Sequence, residues 1–253
     1  MPRAFTYSAL TLRVKASGES NREAWFLTAE EGLIRATVFG GPKSRLRAQV
    51  APYHGGTLWI YHDPVRDSRK VSDFDVQSYR TGIRELWERA MTAGAVAETI
   101  LSSRGGGGSW SEAAELAGTV LDLLDGADAA LCSRIAAYFL WHWARILGVK
   151  PELSACASCA RELKQDESLW YSVNKEALFC EKCSQIMANE EGERADFRLG
   201  AGGRLWLQRI ESLPASALTR ISLDTPSLEQ VRTLSKAVMT IALGKRLQTW
   251  EGI

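Results

Sequence analysis

The sequence predicts an α+β protein: a small N-terminal β-barrel, then an α-helical domain carrying an inserted four-cysteine metal module. Three observations predict it. Residues 1–79 form short runs of strand-type residues divided by turn residues, with no helical stretch between them. From residue 80 the apolar positions recur at three- and four-residue spacing. Within that helical stretch lie two Cys-x-x-Cys pairs with twenty residues between them. The expected organisation is a barrel over 1–79, a helical domain over 80–151 and 199–253, and a cysteine insertion over 152–198.

The strands follow in order. Phe5–Val14 is rich in β-branched, aromatic and apolar residues, and Lys15–Asn21 turns it. Arg22–Thr28 is the second strand, and Glu30-Glu31-Gly32 reverses it. Leu33–Phe39 places Ile34, Ala36 and Val38 on one face and Arg35, Thr37 and Phe39 on the other. Gly40-Gly41-Pro42 breaks it. Two further strands are expected near Arg47–Tyr53 and Thr57–His62, and Lys70–Gln77 closes the set. In Thr57–Tyr61, Leu58 and Ile60 point one way and Thr57, Trp59 and Tyr61 the other. So many short strands in under eighty residues suit a small antiparallel barrel.

Helices follow. Residues 81–102 carry Ile83, Leu86, Trp87, Ala90, Ala93, Ala97 and Ile100 at helical spacing, and Gly105–Gly108 reads as an exposed flexible loop. Ser111 is the expected cap of the next helix, with Leu116, Val120, Leu123 and Leu124 as its stripe and Gly126 at its end. Ala129–Leu147 is apolar nearly all round, which marks a central buried helix stopped by Gly148 and Pro151. A hairpin, Leu169–Val173 with Ala177–Cys180, sits between the cysteine pairs, and Asn189–Arg194 is a polar exit. Helices resume at Gly203–Ser212. The last runs from Thr225 as cap and Pro226 to a stop at Gly244.

Cys156, Cys159, Cys180 and Cys183 are expected to bind one structural zinc ion. Each tight pair aims two thiolates at one point, and the hairpin brings the pairs together as a tetrahedral four-sulfur shell. Iron is the chemical rival. Four protein ligands leave no position for a reacting water, so the ion is not catalytic. A redox Cys-x-x-Cys normally accompanies a βαβ unit, and the sequence offers none. Cys132, on the most apolar helix, is a core residue.

Composition excludes several classes. The 253 residues are 45% hydrophobic and 24% charged, the balance of a globular protein. No apolar run is long enough to cross a bilayer. The first residues lack the apolar core of a signal peptide, which with the cysteine usage points to a cytoplasmic protein. There is no phosphate-binding Gly-x-x-x-x-Gly-Lys loop. His54, His62 and His142 are scattered, and His142 lies between two tryptophans on the buried helix, where it packs. Asp63, Asp67, Asp73 and Asp75 have no second acidic cluster to make a metal-dependent nuclease. The sequence is not that of an enzyme.

The net charge of +1 hides an asymmetry. Residues 1–50 hold eight Lys/Arg against four acids, so the remainder is net acidic. Lys43, Arg45 and Arg47 alternate, which in an extended segment sets them on one face. Arg13, Lys15, Arg22 and Arg35 come from neighbouring strands or their turns. Trp25, Phe39, Tyr53, Trp59 and Tyr61 supply rings in the same region, although Trp25 and Phe39 are expected to serve the core. A basic groove with aromatic faces on a small barrel suits single-stranded nucleic acid.

These motifs resemble the RecO family of bacterial DNA repair and recombination mediators. Gly18-Glu19-Ser20, Phe26-Leu27-Thr28 and Gly32-Leu33-Ile34 are similar to its first strands, and Gly40–Arg45 to its basic loop. Ile146–Leu153 leading into Cys156 is similar to its entry to the zinc module, and Leu243–Leu247 to its C-terminal signature. The resemblance implies an N-terminal OB-fold, a helical domain and a zinc-binding insertion. It implies binding of single- and double-stranded DNA, annealing of complementary strands, and loading of RecA with RecR onto strands coated by single-strand-binding protein. That protein's acidic C-terminal tail would dock on the helical domain, and RecF is a further candidate partner. Lys43, Arg45 and Arg47 match the family's basic loop. Two glycines precede Pro42 where basic residues are common in the family, which leaves this loop less charged. The rival readings are a zinc-containing OB-fold factor for RNA and a scaffold whose barrel binds only protein.

Overall fold

The computed structural model describes residues 3–41, 43–105, 108–190 and 192–252. It divides into two compact units, Met1–Ala127 and Asp128–Ile253.

The first unit is built on a closed five-stranded barrel. Its strands are β1 (Ala4–Ser17), β2 (Asn21–Thr28), β3 (Gly32–Val38), β4 (Gly55–Asp63) and β5 (Ser68–Ser78), in the order β1-β2-β3-β5-β4. All neighbours are antiparallel except β3 and β5, which run parallel and meet at a single bridge, Thr37 to Lys70. This is the OB-like arrangement. The predicted faces hold: Ile34, Ala36 and Val38 of β3 and Leu58 and Ile60 of β4 pack in the barrel with Phe26 and Phe74. A bulge between Thr11 and Arg13 shifts the register of β1 against β2. Tyr7 and Ala9 point inward before it, and after it Val14 packs on the core while Arg13 and Lys15 are exposed.

The strand expected at Arg47–Tyr53 is not formed. Arg45–Gln49 is instead a short helix, α1, ending at Val50. Arg, Leu, Ala and Gln are strong helix formers, and Leu46 and Val50, one turn apart, both pack against the barrel core.

The rest of this unit is helical. The stretch expected as one helix over 81–102 is split into a 3₁₀ turn (Thr81–Arg84) and α2 (Trp87–Ser102), because Leu86 is extended. A β-carbon at Gly82 would lie 2.2 Å from the Asp125 carbonyl oxygen, so the turn is pressed against the end of the next helix. That helix, α3 (Trp110–Leu124), is capped by Ser109, not Ser111: the Ser109 hydroxyl accepts from the Glu112 N–H at 3.3 Å. Arg80 ties α3 to the barrel, donating to Asp122 at 2.7 Å and to the Tyr53 carbonyl at 2.6 Å. The loop expected at Gly105–Gly108 includes Gly106 and Gly107, which lie outside the described residues, as does Pro42 of the earlier break. Gly105 itself is buried, not exposed. With φ of +87°, its N–H donates to the Ile100 carbonyl at 2.7 Å and ends α2. The Trp110 indole sits between Gly105 and Gly32, where added β-carbons would come within 2.9 and 2.5 Å of it.

The second unit is organised on α4 (Ala129–Ile146), buried over most of its surface as predicted, with Cys132, Trp141 and Trp143 in the core. The α6 (Ala201–Glu211) and α7 (Thr225–Leu243) helices pack with it. Asp224, not Thr225, caps α7: its carboxylate accepts from the Ser227 N–H at 2.9 Å, leaving Pro226 one place further in. Gly244, at φ +64°, ends the helix. His142 packs as expected: burial pushes its pKa down, and its ring bonds the Ile210 carbonyl at 3.2 Å. The predicted hairpin forms as β6 (Leu169–Ser172) and β7 (Ala177–Phe179). A third strand, β8 (Phe197–Leu199), joins the far side of β6, and α5 (Glu181–Glu190) follows the second cysteine pair. Neither β8 nor α5 was expected from the sequence. The polar exit at 189–194 includes Glu191, outside the described residues. No described helix is long and apolar enough to cross a membrane.

Candidate metal centre and candidate nucleic-acid interface

The four cysteines converge. The Sγ atoms of Cys156, Cys159, Cys180 and Cys183 all lie within 4.8 Å of one another. The first pair sits on a tight turn in which the Ala160 N–H donates to the Cys156 carbonyl at 2.9 Å and Ala160 adopts φ of +56°. Cys180 directly precedes α5 and Cys183 lies in its first turn, where the helix dipole favours a thiolate. The Cys180 N–H donates to Cys156 Sγ at 3.2 Å. Burial opposes ionisation of Cys156, but N–H donation from Cys159, Cys180 and Ser158 brings its thiol down to about 6. Burial, then hydrogen bonding to Cys159 and Cys180, pushes Cys183 up to about 12. Four sulfurs this close cannot all carry charge without a cation among them. The donor set fits a thiophilic, tetrahedral metal ion, and is compatible with a zinc module.

A buried cation ties this centre to the helices of its own unit. Arg204 of α6 is 2% exposed. Its guanidinium donates to the carbonyls of Glu167 (3.1 Å), Leu153 (3.4 Å), Gln165 (3.3 Å) and Lys164. Burial lowers its pKa. One side chain thereby satisfies four carbonyls of the segment that carries the first cysteine pair. Sequence gives no sign of this, since an arginine on a helix normally reads as surface.

The seven basic residues expected to contact nucleic acid fall into three places. Arg13 pairs across β1 and β2 with Trp25, and Trp25 pairs across β2 and β3 with Arg35, so the three form one outward row. Lys15, Glu23, Thr37 and Lys70 form the next row, across β1, β2, β3 and β5. Arg13 Cζ and Lys15 Nζ lie 5.9 and 5.8 Å from the Trp25 ring centroid. Arg35 Nε pairs with Glu23 at 3.3 Å. Arg22 belongs elsewhere: it is half-buried on the inward pleat at the end of β2, and its guanidinium donates to the Arg47 carbonyl at 3.3 Å. Burial, then the nearby Arg47 charge, lowers its pKa. Lys43 and Arg45 are exposed and Arg47 half-buried. Because Arg45 and Arg47 lie on a helix, they diverge by about 200° and do not share the face an extended segment would give them.

Two aromatics are placed differently from expectation. Neither Trp25 nor Phe39 enters the core. Both follow the outward pleat, since Ala24, Phe26 and Val38 take the inward positions. Phe39 is 46% exposed, with Lys70 Nζ 5.4 Å over its ring. Trp59 also faces outward, but on the other side of the barrel, in register with Asp73. Asp73 and Asp75 lie on that side, whereas the outward cations Arg13 and Lys15 of β1, Arg35 of β3 and Lys70 of β5 lie around Trp25 and Phe39, with Glu23 among them. Lys70 was not singled out from the sequence, because only the β3–β5 bridge brings it to Phe39.

The fold and these sites define a protein with an OB-like barrel and a helical unit that carries a four-cysteine cluster suited to a metal ion. A family model described as recombination protein O, N terminal, matches residues 1–78, and one described as recombination protein O, C terminal, matches residues 84–251. The chain belongs to the RecO family of DNA repair and recombination proteins, which are mediators and not enzymes. Two proteins named DNA repair protein RecO, from two strains of Desulfitobacterium hafniense, are each 28% identical over 249 residues, covering 96% of this chain and 86% of theirs. Another of that name from Nostoc punctiforme is 26% identical over 204 residues, covering 76% and 67%.

Proposed function

We propose that this protein is a DNA-binding recombination mediator. It binds single- and double-stranded DNA, anneals complementary strands, and with RecR helps to load RecA onto strands coated by single-strand-binding protein. One zinc ion holds its cysteine module. The observation that carries the DNA reading is the row Arg13–Trp25–Arg35 with Lys15 and Lys70 in the next row. These side chains form a mainly cationic outer face, with Glu23 as the acid among them, on an OB-like barrel whose other side carries Asp73 and Asp75. Annealing needs no covalent step: strands held on a cationic surface lose their mutual repulsion and can pair. In this reading Arg13, Lys15 and Arg35 hold phosphates, Lys43 and Arg45 extend the track, and Arg22 and Arg47 chiefly hold α1 against the barrel.

The test is a salt titration of binding to single-stranded DNA. Replacing Arg13, Lys15 and Arg35 with alanine is expected to weaken binding at least tenfold. The slope of log affinity against log salt should fall by about 2, at about 0.7 for each lost phosphate contact. An unchanged slope would refute this assignment of the face. Binding that is weak and independent of salt in the unaltered protein would sink the DNA reading itself. A tenfold preference for RNA would favour the rival RNA-binding factor.

The second unit carries a groove of about 230 Å³ lined by Leu140, Met239, Leu247 and Trp250, with Lys236, Arg246 and Glu251 at its walls. An apolar floor whose walls carry two cations against one acid suits an acidic peptide ending in apolar residues. This supports docking of the single-strand-binding protein's tail. Changing Lys236 and Arg246 to glutamate is expected to weaken binding of a synthetic tail peptide at least tenfold in fluorescence anisotropy. Unchanged affinity would exclude this groove.

A further inference from the structure

We infer that Trp25 and Phe39 are two base-stacking stations, and that they, not the cations, make the barrel face prefer unpaired strands over duplex. This rests on the DNA reading above and adds to it the class of strand recognised.

The two rings repeat one local arrangement. Trp25 lies on the outward pleat of β2 and Phe39 just past the end of β3 in the same outward phase, each next to residues that fill the core, and each has a cation over its ring: Arg13 and Lys15 at Trp25, Lys70 at Phe39. Phe39 is 46% exposed and Trp25 half-buried, and neither belongs to the filled barrel core. A cation over an exposed ring contributes only about 0.5–1 kcal/mol. A nucleobase stacked on the same ring contributes about 1–3 kcal/mol. Exchange is therefore favourable: the base takes the ring face, and the displaced Lys or Arg moves to the phosphate that the base brings with it. Duplex DNA cannot make this exchange, because its bases are stacked on each other. It is left with the phosphate contacts alone.

The stations lie on a common path. Trp25 is in register with Arg35 on β3, and Phe39 is four residues beyond Arg35 along that chain. At about 4.8 Å between strands and about 3.3 Å per residue, they stand about 14 Å apart. That is about four steps of a stacked strand at about 3.4 Å per step. Trp59, the exposed tryptophan of β4, is in register with Asp73 and has no such cation among the described residues, so it is not a station.

The test compares three probes of equal length: oligo-dT, a strand of the same phosphates without bases, and a duplex. Trp25→Leu and Phe39→Ala are each expected to lower oligo-dT affinity about tenfold. Affinity for the abasic strand and the duplex should stay within twofold, and the salt slope should not move. Phe39→Tyr should restore oligo-dT binding. Loss of all three probes in parallel, or no loss of oligo-dT binding, would overturn the stacking assignment while leaving the cationic face intact. Phe39 is half-exposed, so its variant tests the idea even if Trp25→Leu disturbs the barrel. Failure of the unaltered protein to bind any of the three probes would instead count against the DNA reading.

Discussion

Replacing Cys156 and Cys180 with serine is expected to reduce bound metal from one ion per chain to none and to unfold the segment around both cysteine pairs. The size of the effect follows from the geometry. The four sulfurs converge within 4.8 Å and come from both pairs, so an ion bound among them would tie the pairs together. The small cluster beneath them, Cys156, Phe179, Cys180 and Met187, itself includes two of the ligands. Structural zinc in such modules contributes about 10–16 kcal/mol of apparent binding free energy at neutral pH, far more than so small a core can replace. Emission spectroscopy measures the metal, and limited proteolysis reports cleavage between the pairs. One ion per chain in the double variant would refute the ligand assignment. DNA affinity should change by less than about threefold, because no proposed contact lies in this segment.

The second large effect is expected at Arg204. Arg204→Met keeps much of the volume and removes every donor. The carbonyls of Leu153, Lys164, Gln165 and Glu167 then lose a common partner, and each buried one left unsatisfied costs about 1–3 kcal/mol. Some will find water, so a net loss of about 3 kcal/mol is the expected result, read as a lower urea midpoint of the metal-loaded protein. Arg204→Lys should recover only part, since an ammonium cannot reproduce the planar fork. Hydrogen exchange should rise first between Leu153 and Glu167. A loss below about 0.5 kcal/mol would mean that those carbonyls do not depend on the guanidinium.

What the sequence made legible was whatever is written as local periodicity or fixed spacing. The inward faces of β3 and β4 follow from alternation, the burial of α4 from its unbroken apolar surface, and the convergence of the four cysteines from two matched pairs. Three kinds of feature were not legible. Short polar helices imitate strands, as Arg45–Gln49 does, because five residues carry too few apolar positions to distinguish the two periods. Caps shift by a residue or two wherever several capping residues stand together, as at Ser109 and Ser111, or Asp224 and Thr225. Features made by long-range pairing leave no local trace. The bulge after Thr11 governs how Arg13 and Lys15 are presented, and the parallel bridge to β5 brings Lys70 to Phe39. Trp25 and Phe39 were expected inside because aromatics usually are, and the inward pleat was already filled by Ala24, Phe26 and Val38.

The placement of Trp110 has a consequence for how the first unit comes into being. Its indole closes over the glycine of the β2–β3 turn on one side and the glycine ending α2 on the other, positions 78 and 5 residues away along the chain. The seat exists only when hairpin and helices are both in place, which couples the folding of the barrel to that of the helices. A nascent chain that has emerged only as far as Ser78 has every strand of the barrel but not the side chain that covers its second turn. That turn should therefore gain its full protection only after residue 110 has left the ribosome.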